Sequence, residues 1–223
     1  MTSRPQRSPA QLFAQAVAFH RNGQVPQAEK LYRLVLKTHP RHADSLHLLG
    51  LALHERGDSG AALKTIAKAI AIEGSAAIYH NTLGVVLQEN GQDGEAIACF
   101  QRAIELQPDY AEAFNNLGTS LKSLLRPAEA AEAYGRAVTL RPDFSDAYNN
   151  LGTALLDTGR LEEAEQALRR AIALKGVDPD YQYNLGMVLQ EQGKADEAKA
   201  AYRQAVALAS GHARAQARLN ETA

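Results

Sequence analysis

Apolar residues along this chain recur with the 3.6-residue spacing of an amphipathic helix, as in Phe114, Leu117 and Leu121 followed by Ala130, Tyr134, Ala137 and Val138. No stretch carries the strict alternation of a half-buried strand. The helical pattern itself repeats. Gly50, Gly84, Gly118, Gly152 and Gly186 stand 34 residues apart, and Ala28, Ala62, Ala96, Ala130, Ala164 and Ala198 advance in the same step. Each period holds two helical segments. The break between them falls at Gly23, Gly57, Gly91, Gly159 and Gly193, where a residue that tolerates left-handed φ ends the first helix. The fourth period has Leu125 in that slot, then Arg126 and Pro127, and Pro127 starts the second helix, where its missing N–H costs nothing. Pro40, Pro108 and Pro142 stop the second helix in three periods; Gly74, Gly176 and Ser210 take that slot in the others.

A single helical hairpin of this size cannot bury its own apolar face, whereas stacked hairpins bury each other's. The period therefore predicts a quasi-one-dimensional solenoid with a concave and a convex surface. Six units, 9–42, 43–76, 77–110, 111–144, 145–178 and 179–212, account for 204 residues. Residues 1–8 are expected to form a flexible N-terminal tail. Residues 213–223, ARAQARLNETA, begin another first helix and form either a short polar cap or the stump of a longer chain. Gly118 and Ala130 are expected where two helix backbones approach closely, with Leu121 and Tyr134 filling the adjoining space.

The order Leu-Gly in the first helix, then Ala, Tyr or Phe, Ala and Pro in the second, at a 34-residue period over residues 9–212, resembles the tetratricopeptide repeat. Unit one departs most, with Gln15-Ala16 in place of Leu-Gly. The resemblance implies an all-α, right-handed α-solenoid superhelix of six repeats with a short C-terminal capping helix, whose concave groove binds peptides or helices of partner proteins. The wording AFNNLGTSL and AYNNLGTAL is also similar to the repeat half of O-linked N-acetylglucosamine transferases and their bacterial relatives.

Counting slots from the first residue of each unit, the second, fifth or sixth, ninth, and twelfth or thirteenth share the open side of the first helix. The fifth slot reads Phe13, His47, Asn81, Asn115, Asn149, Tyr183; the sixth reads Ala14, Leu48, Thr82, Asn116, Asn150, Asn184. An amide offers an acceptor and two donors in one plane, so a row of amides at the repeat spacing can satisfy the backbone of an extended peptide. The candidate peptide-binding residues are thus Asn81, Asn115, Asn116, Asn149, Asn150, Asn184 and Tyr183. The transferase resemblance implies the same ladder for Asn116, Asn150 and Asn184. The alternative is that these amides only bond to neighbouring chain. Phe13, Val17, Leu48 and Leu51 make the N-terminal end of the groove apolar, as an open contact patch or as a surface covered by the N-terminal tail or a neighbouring molecule.

Acidic second-slot residues Asp44, Glu112, Asp146 and Asp180, with Glu55, Glu89, Asp157 and Glu191 in the thirteenth, favour basic ligands. They argue against a clamp for acidic tails, since neither Lys nor Arg stands in the second, fifth or sixth slots. Lys68, Arg102, Arg136 and Arg170 form a convex stripe that reads as a solvated face.

Chemistry beyond binding has little footing. His39, His42, His47 and His54 cluster in sequence, but His47 and His54 are two helical turns apart and no HExxH or CxxC accompanies them, so they read as surface or groove histidines. There is no phosphate loop and no nucleophile elbow, and Cys99 reads as a packed small residue. No catalytic residue, metal site or cofactor is expected. The 24 Lys plus Arg against 25 Asp plus Glu give a formal net charge of -1, which removes nucleic acid and anionic membranes as expected partners. A single cysteine fits a reducing compartment, and Gln11, Gln15 and His20 interrupt any signal-peptide core, so a cytoplasmic location is expected. The leading expectation is a non-enzymatic adaptor that binds an extended protein segment. Its alternatives are the substrate-recruitment arm of a larger glycosyltransferase-like enzyme and a homo-oligomeric scaffold joined through the apolar N-terminal end.

Overall fold

A computed structural model describes residues 7–221. Every regular element among them is helical. Six first helices, α1 (Pro9–Arg21), α3 (Ala43–Glu55), α5 (Ala77–Glu89), α7 (Ala111–Ser123), α9 (Ser145–Asp157) and α11 (Pro179–Glu191), start 34 residues apart. Their partners are α2 (Val25–Thr38), α4 (Ser59–Ile72), α6 (Asp93–Leu106), α8 (Pro127–Leu140), α10 (Leu161–Leu174) and α12 (Ala195–Leu208), and α13 (Ala213–Glu221) follows. The chain forms two compact units, Met1–Pro108 with α1 to α6 and Asp109–Ala223 with α7 to α13. Within each, a helix packs on its hairpin partner and on the next hairpin, as a solenoid of repeats requires.

The turns between paired helices use the expected chemistry. Gly23, Gly57, Gly91, Gly159 and Gly193 have φ of +70°, +86°, +73°, +74° and +77°. Leu125 adopts the same left-handed backbone at +58°. Ahead of α1, the chain is ordered sooner than expected: Ser8 Oγ accepts from Gln11 N at 3.2 Å while Gln11 Oε1 accepts from Ser8 N at 2.9 Å, a reciprocal cap, and Arg7 donates to Gln15. The expected tail of residues 1–8 is corrected at this end; residues 1–6 lie outside the described residues.

The repeated glycines sit under a bulky side chain of the second helix. A Cβ at Gly118 would lie 2.7 Å from Tyr134 Cε1, at Gly84 2.5 Å from Phe100 Cε1 and at Gly186 2.5 Å from Tyr202 Cε1. At Gly118 the nearest atoms are those of the Tyr134 ring, and Ala130 in the same repeat is fully buried. Beside Gly50 and Gly152, the carbonyl oxygens of Ala62 and Ala164 are each 3.2 Å from the added carbon, so the backbones of the paired helices approach closely there.

Two further slots are buried that the helical period alone does not single out. In the third and tenth slots Gln11 and Ala18 of α1 are exposed, but Ser45 and Ala52, Tyr79 and Val86, Ala147 and Ala154, and Tyr181 and Val188 are all buried. That face meets the preceding repeat, so only stacking buries it.

Candidate functional site

In the second unit the fifth- and sixth-slot asparagines of α7, α9 and α11 are half-buried, and two pairs of them are bonded from helix to helix. Asn150 Nδ2 donates to Asn115 Oδ1 at 3.1 Å, and Asn184 Nδ2 donates to Asn149 Oδ1 at 2.8 Å. Each bond runs from the sixth slot of one repeat to the fifth slot of the repeat before. An amide has two N–H groups and two carbonyl lone pairs, so each of these side chains keeps hydrogen-bonding capacity after the ladder is made. Asn81 and Asn116 are half-buried in the corresponding slots. Beside the ladder, Thr119 Oγ1 accepts from Tyr134 Oη and donates to the Asn115 carbonyl, each at 3.1 Å. Lys122 Nζ donates to Thr153 Oγ1 at 2.7 Å and pairs with Asp157 at 3.4 Å.

Tyr183 does not belong with these residues. It is 7% exposed, its ring centroid is 5.9 Å from that of Tyr202 and 5.2 Å from that of His212, and the Arg214 guanidinium lies 4.9 Å over its face. The fifth slot of the last repeat is covered by α13 and the turn before it, so Tyr183 is a packing residue.

The apolar candidates of the first unit divide. Val17, Leu48 and Leu51 line a pocket of about 310 Å³ between α1 and α3, together with His20, Arg21, Tyr32 and Glu55. Phe13 turns away, its centroid 4.9 Å from that of His42 and 6.2 Å from that of Tyr32. The patch is also less open than expected, since Phe13, Val17 and Leu48 are half-buried against the core of Ala16, Tyr32, Leu49 and Ile66.

His20 crosses the pocket wall. Glu55 can only accept, so His20 Nε2–H donates to its carboxylate, 3.1 Å from both oxygens, and in the neutral ring Nδ1 accepts from Tyr32 Oη at 3.2 Å. The next repeat copies the arrangement, with His54 Nε2–H donating to Glu89 at 2.6 Å and Nδ1 accepting from Ser59 Oγ at 3.1 Å. Sequence reading passed over these pairs. Their signal was the 35-residue step from a twelfth-slot His to the following thirteenth-slot Glu.

His47 was expected on the surface or in the groove and is instead 4% exposed. The Thr82 hydroxyl donates to the Ile78 carbonyl at 2.9 Å, so His47 Nε2–H donates to Thr82 Oγ1 at 2.8 Å. Burial pushes the imidazole down to about 4, opposed by the nearby Asp44 carboxylate. Burial likewise raises Tyr32 to about 12, with Glu55 adding to the shift.

The second-slot acidic residues also hold internal partners; an arginine offsets the charge of Glu112 and Asp180, whereas a tyrosine hydroxyl leaves that of Asp44 and Asp146 in place. Asp44 accepts from Tyr79 Oη at 2.5 Å, Asp146 from Tyr181, Glu112 pairs with Arg141, and Asp180 pairs with Arg214 at 2.7 Å. Arg141 holds the Glu112 carboxyl below its usual range against the opposing effect of burial. Of the basic residues expected as a stripe on the second helices, Arg102 pairs with Glu105 at 2.8 Å and the Arg136 guanidinium sits 5.7 Å over Phe114. Among the described residues no group of three or more His, Cys, Asp or Glu could hold a metal ion, and no helix is long and apolar enough to cross a membrane.

Stacked helical hairpins with a small residue under a bulky one in every repeat define a tetratricopeptide-type solenoid. Tetratricopeptide-repeat profiles match residues 13–78 and 115–179, 74–143, and 179–212, and the chain belongs to this family. It is accordingly a protein-interaction module. No curated protein matches it in sequence. Among solved structures, MamA is 27% identical with a TM-score of 0.65, over 72% of this chain and 94% of MamA. PilF of Pseudomonas aeruginosa is 20% identical with a TM-score of 0.85, over 96% of this chain and 97% of PilF. YrrB, a tetratricopeptide-repeat protein with an unusual peptide-binding site, is 22% identical with a TM-score of 0.71, over 84% of this chain and 96% of YrrB.

Proposed function

We propose that this chain is a non-enzymatic, cytoplasmic adaptor that holds an extended segment of a partner protein along its first helices. Asn115, Asn149, Asn150 and Asn184, with Asn81 and Asn116 in the same slots, supply hydrogen bonds to the segment's backbone. Val17, Leu48 and Leu51 form a separate apolar contact surface. The observation that carries this reading is the pair of asparagine bonds from repeat to repeat. Each bond fixes an amide plane that would otherwise rotate, so the remaining donors and acceptors are presented in set directions at the repeat spacing, and less side-chain entropy is lost on binding. Backbone-directed contacts read an extended shape rather than a side-chain sequence.

The test is selection from randomised peptides of about twelve residues, a length that spans several repeats when extended. The immobilised full chain should enrich binders with little side-chain consensus, and the triple variant Asn116→Ala, Asn150→Ala, Asn184→Ala should lose them. No enrichment by the wild type, or undiminished enrichment by the triple variant, would contradict the reading.

A further inference from the structure

In five repeats the first helix ends on a polar residue followed by glycine: Asn22-Gly23, Arg56-Gly57, Asn90-Gly91, Thr158-Gly159 and Gln192-Gly193. The fourth repeat has Leu124-Leu125 at these two positions. Leu125 takes the left-handed backbone the turn demands, at φ +58°, a conformation that crowds any side chain bearing a Cβ. Its side chain then points into solvent: Leu125 is 88% exposed and Leu124 44%. The turn thus carries backbone strain and bare apolar surface together, and the glycine used everywhere else avoids both. Leu125 buries almost nothing in return.

A receptor of matching character exists on the same molecule. The pocket between α1 and α3 has an apolar floor of Val17, Leu48 and Leu51, and its volume of about 310 Å³ lies at the small end of ligand sites, suited to one or two aliphatic side chains. Both features have one charge of each sign at the edge. Arg126 and Glu129 follow the leucines, bonded at 2.7 and 2.6 Å, and Arg21 and Glu55 flank the pocket.

We propose that the Leu124–Leu125 turn of one copy inserts into the Val17, Leu48, Leu51 pocket of a second copy. Knob and pocket are different surfaces, so the contact is heterologous, and each copy offers one of each. Association then builds rings or open chains rather than closing at a face-to-face dimer. The inserted leucines occupy the apolar surface that a partner protein would otherwise contact, so self-association and partner binding there exclude each other.

Two variants separate the halves of the contact. Leu125→Gly removes the knob and the strain; Leu51→Lys leaves its stem on the apolar floor and blocks the pocket with its ammonium. Light scattering on the full chain from about 1 μM to about 1 mM, the range of transient contacts, should show the wild-type mass rising with concentration. Each variant alone should stay at the single-chain mass, and Leu125→Gly should melt no earlier than wild type. An equimolar mixture should give a two-chain species, because the knob of Leu51→Lys still fits the pocket of Leu125→Gly. A wild-type chain that stays single over the whole range, as it would if another protein takes the turn, overturns the proposal. So does a Leu125→Gly chain that associates like wild type, or a mixture that stays single.

Discussion

Asn150 gives one of its two amide N–H groups to the side-chain oxygen of Asn115, 3.1 Å away, and so links the first helices of successive repeats. The same bond joins Asn184 to Asn149 at 2.8 Å. These asparagines therefore serve the stacking of repeats as well as any ligand. Asn150→Ala should lower stability by about 0.5–1.5 kcal/mol, the net contribution of one such bond, measured by urea denaturation. An unchanged midpoint would mean that the ladder adds nothing to stacking.

Ser45 stands in the third slot, where stacking buries the side chain completely, and its hydroxyl has no hydrogen-bond partner. A buried hydroxyl without a partner costs about 1–3 kcal/mol. Alanine occupies this slot at Ala113 and Ala147. Ser45→Ala should therefore raise the thermal midpoint, by ~2–4 °C for each kcal/mol gained in a chain of this size. A lowered midpoint would contradict the assignment.

Two glycines inside helices of the fourth repeat should respond in opposite directions. At Gly118 an added methyl meets Tyr134 Cε1 at 2.7 Å and Cδ1 at 2.8 Å, and the fully packed ring has nowhere to go, so Gly118→Ala should cost about 1–3 kcal/mol. At Gly135 in α8 nothing lies within 4 Å of the added carbon, so Gly135→Ala should stabilise by about 0.5–1 kcal/mol through helix propensity. Denaturant curves for the two variants check the contrast.

His47 gives stability a defined pH dependence. Its affinity for a proton falls from an ordinary 6.5 to about 4 on folding, so between these values the unfolded chain binds the extra proton. The contribution is whole above pH 6.5 and is lost as pH falls toward 4, reaching roughly 3 kcal/mol. His47→Gln cannot titrate and should show a shallower loss of stability between pH 6.5 and 5 than the wild type. Parallel curves would show that this histidine does not govern the effect.

The repeat, the helix pairing and the turn glycines were all readable from the 34-residue period, because a solenoid writes its fold into positions that recur. What one helix's period cannot report is which of its faces the neighbouring repeat covers. That gap accounts for His47 and Tyr183, placed in the groove by slot number yet buried by adjacent repeats or α13, and for the acidic slots that proved to be bonded to Tyr79, Tyr181 and Arg141. The asparagine pairs and the His20–Glu55 and His54–Glu89 pairs share a 35-residue step. A search for complementary residues at one period plus one would have found them.

In the proposed binding mode, fixed amides on the first helices hold a segment through its backbone. Calorimetric titration of a selected peptide against versions N-methylated at single backbone positions tests it most directly, since methylation deletes one N–H and leaves every side chain in place. Methylation at positions facing the ladder should weaken binding by about threefold to tenfold each, as the loss of one hydrogen bond requires, while replacing side chains at those positions should change little. Methylated peptides that bind as tightly as the parent, with affinity following side-chain identity instead, would contradict it.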